Sequence, residues 1–124
     1  MRHGVLVGSN ERSKLLYAAM ETVIRASLGD EVTVFLTMDA VRAFTRNPVV
    51  TESTTSSRLA KEAGEDYLSH LRKAKTSGRA EVLACSYASK LFHLSKEDYI
   101  DVVDDVAGIT TFVSQVDGQI VSVW

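Results

Sequence analysis

The sequence predicts a three-layer α/β/α fold, in which helices cover a mainly parallel sheet of four or five strands. The alternation of two kinds of segment supports this prediction. Short valine-rich runs alternate along the chain with segments whose apolar residues recur at steps of three and four. Alternation of this kind is typical of a parallel sheet covered by helices. Because the chain has no linker and no internal repeat, residues 1–124 are expected to form one domain.

The first third of the chain contains two predicted strands, each followed by a helix. "GVLV" (residues 4–7) is a buried strand that ends in the turn 8–10. A helix is predicted within "ERSKLLYAAMETVIRASLGD" (11–30), with Gly29 where the helix stops. "EVTVFL" (31–36) is the second strand, and 37–44 form a short helix. The apolar face of the first helix is expected to consist of Leu16, Ala19, Met20, Val23 and Ile24, and the short helix to begin at Thr37 or Asp39.

Residues 45–64 interrupt this alternation. They contain the only proline of the chain and six serine or threonine residues between positions 51 and 57, and they show no sustained periodicity. We therefore expect a surface loop. It is either simply mobile or serves as a lid or a subunit contact, since long loops in compact domains often carry function.

The strand and helix pattern resumes after this loop. A helix is predicted through Tyr67 and Leu71, then the third strand "RAEVLAC" (79–85) and a helix over 86–94. "SKED" at 95–98 has the capping pattern that opens a helix. Residues 101–108 are expected to form a connector or a frayed turn.

The C-terminal segment fits two interpretations. Asp117-Gly118 between apolar runs is a hairpin signal, whereas the apolar spacing from 106 to 116 is helical. We predict a helix over about 107–116, followed by a last strand, "QIVSVW".

Composition excludes several classes of protein. Fourteen basic and sixteen acidic residues give a formal charge of −2, which offers no attraction for nucleic acid or an anionic membrane surface. No apolar run approaches the roughly 20 residues that span a bilayer. A single cysteine excludes an internal disulfide and is typical of a reducing compartment, so we expect a cytoplasmic protein.

Cys85 is the first candidate for a functional residue, because it lies where the third strand meets a helix. Ligands of parallel α/β sheets bind at the carboxyl ends of the strands. A thiol at a helix N-terminus also ionises more easily, and the thiolate is the nucleophilic form. The alternative is that Cys85 is inert packing, since free cysteine is among the most buried residue types. The residues alone leave both interpretations open.

The same edge of the sheet provides the expected pocket around Cys85. Its walls come from the segments that follow the first three strands, and the amides of residues 86–88 are expected to stabilise the thiolate. The candidate pocket residues are Gly8, Ser9, Asn10, Thr37, Met38, Ser86, Tyr87, Ala88 and Ser89.

No other motif predicts a cofactor or a metal. "GSNERSK" matches neither the GxxxxGK[ST] nor the GxGxxG phosphate-binding pattern. His3, His70 and His93 have no ligand spacing. Asp101, Asp104 and Asp105 are expected to be a solvated acidic turn.

The segment "RAEVLACSYASKLFHLSKEDYIDVVDDVAGITTFV" resembles the DsrE/DsrF-like family of sulphur-relay proteins, which includes TusD-like proteins. It carries the pattern of the branch with a single cysteine after the third main strand. In this chain the matching residues are Cys85, followed by Ser86 and Ser89. The opening "GVLVGSNERSKLLYAAMETVIRASLGDEVTVFLTMDAVRAF" is also similar to that family, so the resemblance covers most of the chain except residues 46–64.

The resemblance implies a DsrE/DsrF-like domain that assembles into trimers or hexamers. It further implies a sulphurtransferase-like role, in which Cys85 accepts sulphane sulphur as a persulfide and passes it to a small carrier protein. Because the chain has no second cysteine to resolve the persulfide, the exchange needs a partner molecule. The competing interpretation is a non-catalytic, oligomeric binding or scaffold module of the same fold, in which Cys85 is structural.

Overall fold

Five strands and five α-helices follow one another over all 124 residues of the chain in a computed structural model. The strands are β1 Arg2–Val7, β2 Glu31–Leu36, β3 Ala80–Cys85, β4 Asp105–Ala107 and β5 Ile120–Val123. The α-helices are α1 Arg12–Ser27, α2 Thr55–Glu62, α3 Tyr67–Thr76, α4 Ser86–Leu91 and α5 Ile109–Gln115. Two 3-10 helices, Met38–Phe44 and Lys96–Asp98, complete the secondary structure.

All five strands pair in parallel, in the order β4-β3-β2-β1-β5. The connections from β1 to β3 advance in one direction across the sheet, whereas the connection from β4 to β5 returns over the other strands. Because such crossovers are right-handed, α1 and α3 lie on one face and α5 on the other. The three-layer α/β/α fold predicted from the sequence is therefore confirmed, with five strands.

The two faces of the sheet differ in how they are covered. Val5, Val34 and Val82 are register partners on three neighbouring strands, so their side chains point to the same face. This is the face that α1 and α3 cover, and all three valines are buried there. On the opposite face α5 places Phe112 on the ring of Phe35, with ring centroids 5.0 Å apart. Only one short helix covers that second face.

Two predictions about local structure need correction. The connector over 101–108 contains β4, a three-residue strand that pairs with β3 at the edge of the sheet. The predicted C-terminal helix and last strand are confirmed as α5 and β5, and the alternative of a hairpin is excluded because β5 pairs in parallel with β1. "SKED" does form a capping box, but the helix that it opens is only the 3-10 turn Lys96–Asp98. β4 and this 3-10 turn have three residues each, which is too short for hydrophobic periodicity to identify them.

The apolar face predicted for α1 is only partly correct. Leu16 and Ala19 are buried, but Met20 and Ile24 are exposed on the outer side of the helix. Thr22, which the apolar pattern does not include, is fully buried, and its hydroxyl is satisfied there because it donates to the Ala18 carbonyl oxygen (2.8 Å). A buried threonine satisfied in this way replaces an apolar residue in the core.

The segment 45–64 is also more regular than predicted, because residues 55–62 form α2. The buried carboxylate of Glu11 holds the preceding residues. It accepts hydrogen bonds from the hydroxyls of Thr51 (2.7 Å), Ser53 (2.8 Å) and Thr54 (3.2 Å) and from the amides of Ser53 (2.9 Å) and Thr54 (3.1 Å). We call residues 49–54, together with this carboxylate, the Glu11 strap.

The electrostatics of the Glu11 strap follow from these donors. Burial by itself raises the pKa of the Glu11 carboxyl, but the hydroxyl and amide donors of residues 51–57 outweigh burial and hold the pKa far below its usual range. The backbone adds to the same junction, since the Arg12 amide donates to the Thr51 carbonyl oxygen and the Thr51 amide donates to that of Asn10. The strap therefore connects residues about 40 positions apart in the sequence.

None of the helices has both the length and the apolar character needed to cross a bilayer.

Candidate functional site

Cys85 ends β3 and is the N-cap residue of α4. Its backbone is extended (φ −62°, ψ 126°), and its Sγ accepts a hydrogen bond from the Ala88 amide at 3.5 Å. The residue is buried, with 5% of its surface exposed. The contact joins the thiol at the end of β3 to the first turn of α4.

Ser89 and Tyr99 form a buried hydroxyl pair beneath Cys85. Ser89 Oγ donates to the Cys85 carbonyl oxygen (2.7 Å) and lies 2.6 Å from the Tyr99 hydroxyl. Because a serine hydroxyl has one proton, the Tyr99 phenol must donate to Ser89. Burial raises the pKa of Tyr99, and the nearby Cys85 adds to the increase, so the phenol keeps its proton at neutral pH.

Tyr99 was not among the residues selected from the sequence. It lies in a different segment from Cys85, directly after the 3-10 turn Lys96–Asp98. Its backbone forms an isolated antiparallel bridge with Thr45. No motif spacing connects Tyr99 to Cys85, and only its aromatic character in an otherwise polar stretch marks it.

The residues that follow Cys85 play different parts. Ala88 is fully buried and supplies the amide that contacts Sγ, and Ser89 supports the Cys85 carbonyl. Ser86 is partly buried near Gly108, at the end of β4. Tyr87 is exposed on the outside of α4. The structure thus brings Ala88 and Ser89 into direct contact with Cys85.

The predicted pocket residues after β1 are occupied with other contacts. Gly8 lies under the ring of Trp124, so close that a Cβ atom would come within 2.1 Å of it. Ser9 Oγ accepts from the Glu11 amide (3.0 Å), and Asn10 donates to the Val49 carbonyl oxygen (3.0 Å). Because β2 separates β1 from β3, these residues lie about 10 Å from the Cys85 strand.

Thr37 and Met38 follow β2 and are therefore next to the end of β3. The Thr37 amide donates to the Val7 carbonyl oxygen, and Thr37 occupies the N-cap position of the 3-10 helix without a capping side-chain bond. Met38 has a φ of +47°, in the left-handed region that non-glycine residues rarely adopt. Strained backbone of this kind concentrates at functional sites.

Cys85 lies on the sheet face that α5 covers, and it lines none of the four surface cavities. β-alternation places its side chain on the same face as Leu83, and Leu83 is the register partner of Phe35.

The acidic turn after Tyr99 is satisfied by basic side chains. Asp101 pairs with Arg72 (3.1 Å), Asp104 with Lys75 (2.5 Å) and Asp105 with Lys96 (3.4 Å). His3 pairs with Asp30 and His70 with Glu65, while His93 is exposed. No group of three metal-ligating side chains comes together in the structure.

Comparison with known proteins gives a family and a fold. The model of the DsrE/DsrF-like family matches residues 1–120. The protein MTH1491 from Methanobacterium thermoautotrophicum, described as of unknown function, has a similar structure (TM-score 0.61, 15% identity), with 98% of this chain and 97% of that chain covered. The YchN protein from E. coli is also similar (TM-score 0.65, 16% identity), with 98% and 99% covered. No curated protein matches the chain.

Proposed function

The chain belongs to the DsrE/DsrF-like family, a family connected with sulphur relay, and on that premise we propose that it is a small sulphur-transfer or sulphur-carrier protein. Cys85 accepts sulphane sulphur as a persulfide and passes it to a partner, such as a small sulphur-carrier protein. The observation that carries the proposal is the position of Cys85 at a strand end, with a backbone amide directed at its Sγ.

The proposed transfer consists of two displacements at sulphur. The Cys85 thiolate attacks the outer sulphur of a donor persulfide, or the sulphane sulphur of thiosulphate. A new S–S bond forms at Cys85 while the donor S–S bond breaks, and the donor thiolate or sulphite leaves with the electron pair. A thiolate of the acceptor then attacks the outer sulphur of Cys85, and Cys85 leaves as thiolate. No oxidant or reductant is consumed.

The surroundings of Cys85 support both steps. The Ala88 amide stabilises negative charge on Sγ before attack and after release. Ser89 and Tyr99 hold the carbonyl of Cys85, so the thiol stays at the start of α4.

Mass spectrometry of the intact protein tests this proposal. After incubation with thiosulphate or polysulphide together with a donor protein, we expect mass gains of single sulphur atoms that a reductant removes. Because Cys85 is the only cysteine, peptide mapping should place every added sulphur there, and Cys85→Ser should gain none. An unchanged wild-type mass, or equal gains in Cys85→Ser, would contradict the proposal.

The burial of Cys85 favours one second candidate, a non-catalytic binding or scaffold module in which the thiol is packing. A chromogenic disulfide distinguishes the two functions. A thiol that reacts in native buffer supports sulphur transfer, whereas a thiol that reacts only after denaturation supports the scaffold module.

We also propose that the protein forms a homo-oligomer, a trimer or hexamer, and acts in the cytoplasm. Four large apolar side chains are exposed on the outer side of α1 and at its C-cap, at spacing that aligns them in one stripe: Tyr17, Met20, Ile24 and Leu28. Contiguous exposed apolar surface of this kind typically marks a protein interface.

Charging this stripe should therefore dissociate the oligomer. We expect Ile24→Glu to lower the mass measured by sedimentation equilibrium to that of a monomer, because burying an unpaired carboxylate is costly. Leu59→Glu is the matched control, since Leu59 is as exposed as Ile24 but belongs to α2. A wild-type monomer, or an Ile24→Glu variant that remains assembled, would contradict this interface.

A further inference from the structure

A cavity of about 360 Å³ lies at the carboxyl edge of the sheet and does not include Cys85. Its lining comes from two segments. Arg42, Thr45, Arg46 and Asn47 belong to the segment after β2, and Phe92 belongs to the segment after β3. These strands are neighbours, and ligands of parallel sheets bind at this edge. The volume is at the lower end of the range of small-molecule sites, roughly 300–1,000 Å³.

Backbone hydrogen bonds hold the two segments of the cavity together. The Arg46 amide donates to the Asp98 carbonyl oxygen (3.1 Å), and the Ile100 amide donates to that of Phe44 (3.0 Å). Within the first segment, the Val49 amide donates to the Arg42 carbonyl oxygen (2.9 Å). The walls of the cavity are therefore built before a ligand arrives, which reduces the ordering cost of binding.

Both arginine side chains make a contact at the border of the cavity. The Arg42 guanidinium lies over the ring of Phe92, 5.2 Å from the centroid. Arg46 uses its Nε to donate to the Glu97 carbonyl oxygen (3.0 Å), and no protein acceptor is bonded to its two terminal nitrogens. Two guanidinium groups thus border one cavity, each held by a contact that does not use up its donors.

One carboxylate residue, Asp98, lines the cavity together with the two arginines, and it forms an ion pair with neither of them. Asp98 accepts hydrogen bonds from the amide and hydroxyl of Ser95 (2.8 and 3.1 Å), within its own capping box. Asp39 lies 3.7 Å from Arg42 as an exposed pair, and such pairs contribute little. No ion pair is formed by Arg46. The cavity therefore has an excess of donors over acceptors.

We propose that this cavity is a binding site for a small organic oxyanion, a carboxylate or phosphate group attached to an apolar ring or chain. The oxyanion is held by Arg42 and Arg46, whose planar guanidinium groups match carboxylate and phosphate oxygens. Thr45 and Asn47 supply a hydroxyl and an amide, and the apolar part of the ligand lies against Phe92 and Leu94. This site is separate from the proposed chemistry of Cys85.

Titration of the isotope-labelled protein followed by NMR tests the proposal. Benzoate and phenyl phosphate are the probes, inorganic phosphate tests the charge without the ring, and benzyl alcohol tests the ring without the charge. We expect saturable shifts confined to residues 42–49 and 92–98 with at least one aromatic anion. Inorganic phosphate and benzyl alcohol should bind at least about tenfold more weakly, since each lacks one half of the contacts.

Substitution of the arginines provides the second half of the test. We expect Arg46→Gln and Arg42→Gln each to weaken binding of the aromatic anion about tenfold or more. Each variant loses a charge-assisted hydrogen bond to the anion. Arg79→Gln is the matched control, because Arg79 is exposed before β3, at the opposite edge of the sheet, and the charge change is equal. Unchanged spectra outside the cavity confirm that each variant is folded.

Three results would overturn the proposal. These are shifts scattered over the surface without saturation, equal binding of benzyl alcohol, and an equal loss of affinity in Arg79→Gln. Because the assay does not involve Cys85, it gives the same answer whether or not the chain transfers sulphur.

Discussion

Glu11→Ala is expected to lower the free energy of unfolding by about 3 kcal/mol, because five hydrogen-bond donors of the Glu11 strap lose their acceptor. Denaturant unfolding measures this loss. Hydrogen exchange should show where it acts, with amides of residues 49–62 losing protection while those of β1 and β2 keep theirs.

The matched control for this prediction is Glu62→Ala. Glu62 is exposed at the end of α2, and its replacement should change stability by no more than about 0.5 kcal/mol. Glu11→Gln is a second variant, in which the side chain keeps its size. Its NH₂ group would point hydrogen-bond donors at the hydroxyl and amide donors of the strap. If Glu11→Ala and Glu62→Ala are equally stable, the strap does not anchor α2.

The same carboxylate should make stability depend on pH. The pKa of Glu11 is lower in the folded protein than in the unfolded chain, so its contribution is fully present above the unfolded-state pKa of about 4.3 and is lost as pH falls below it. Wild type and Glu11→Gln should therefore differ most at neutral pH and converge in acid. A constant difference down to strongly acidic pH would contradict this account.

Phe112→Ala is expected to cost about 3–5 kcal/mol, the usual loss for removing a buried phenylalanine. Phe112 is the only fully buried residue of α5, and its ring stacks on Phe35. It also fills the space over Gly4, where a Cβ would come within 2.7 Å of the ring. Since α5 is the helix that covers the Cys85 face, its loss should expose that face to solvent.

Equilibrium unfolding in denaturant measures this effect, with Val113→Ala as the matched control. Val113 is the next residue of α5 and is exposed, so its truncation should cost no more than about 0.5 kcal/mol. Native-state reactivity of the Cys85 thiol gives a second readout, and it should rise in Phe112→Ala and stay unchanged in Val113→Ala. A cost for Phe112→Ala below about 1 kcal/mol would show that α5 is not docked as described.

The candidate site was partly predictable from the sequence. The position of Cys85 followed from local pattern, because an apolar run that gives way to helical spacing marks a strand end. The contact between Sγ and the Ala88 amide is equally local, since it joins residues three positions apart. Tyr99 could not be predicted, because its contact with Ser89 depends on how the chain returns after α4.

The sequence by itself determined the alternation of strands and helices, the parallel sheet and the placement of Cys85 at its edge. These features depend on periodicity and on residue types within single segments. Only the tertiary structure decided the edge strand β4, the Glu11 strap, the exposed side of α1 and the cavity between Arg42 and Phe92. Each of these depends on contacts between residues far apart in the chain, and such contacts leave no periodic trace in either segment.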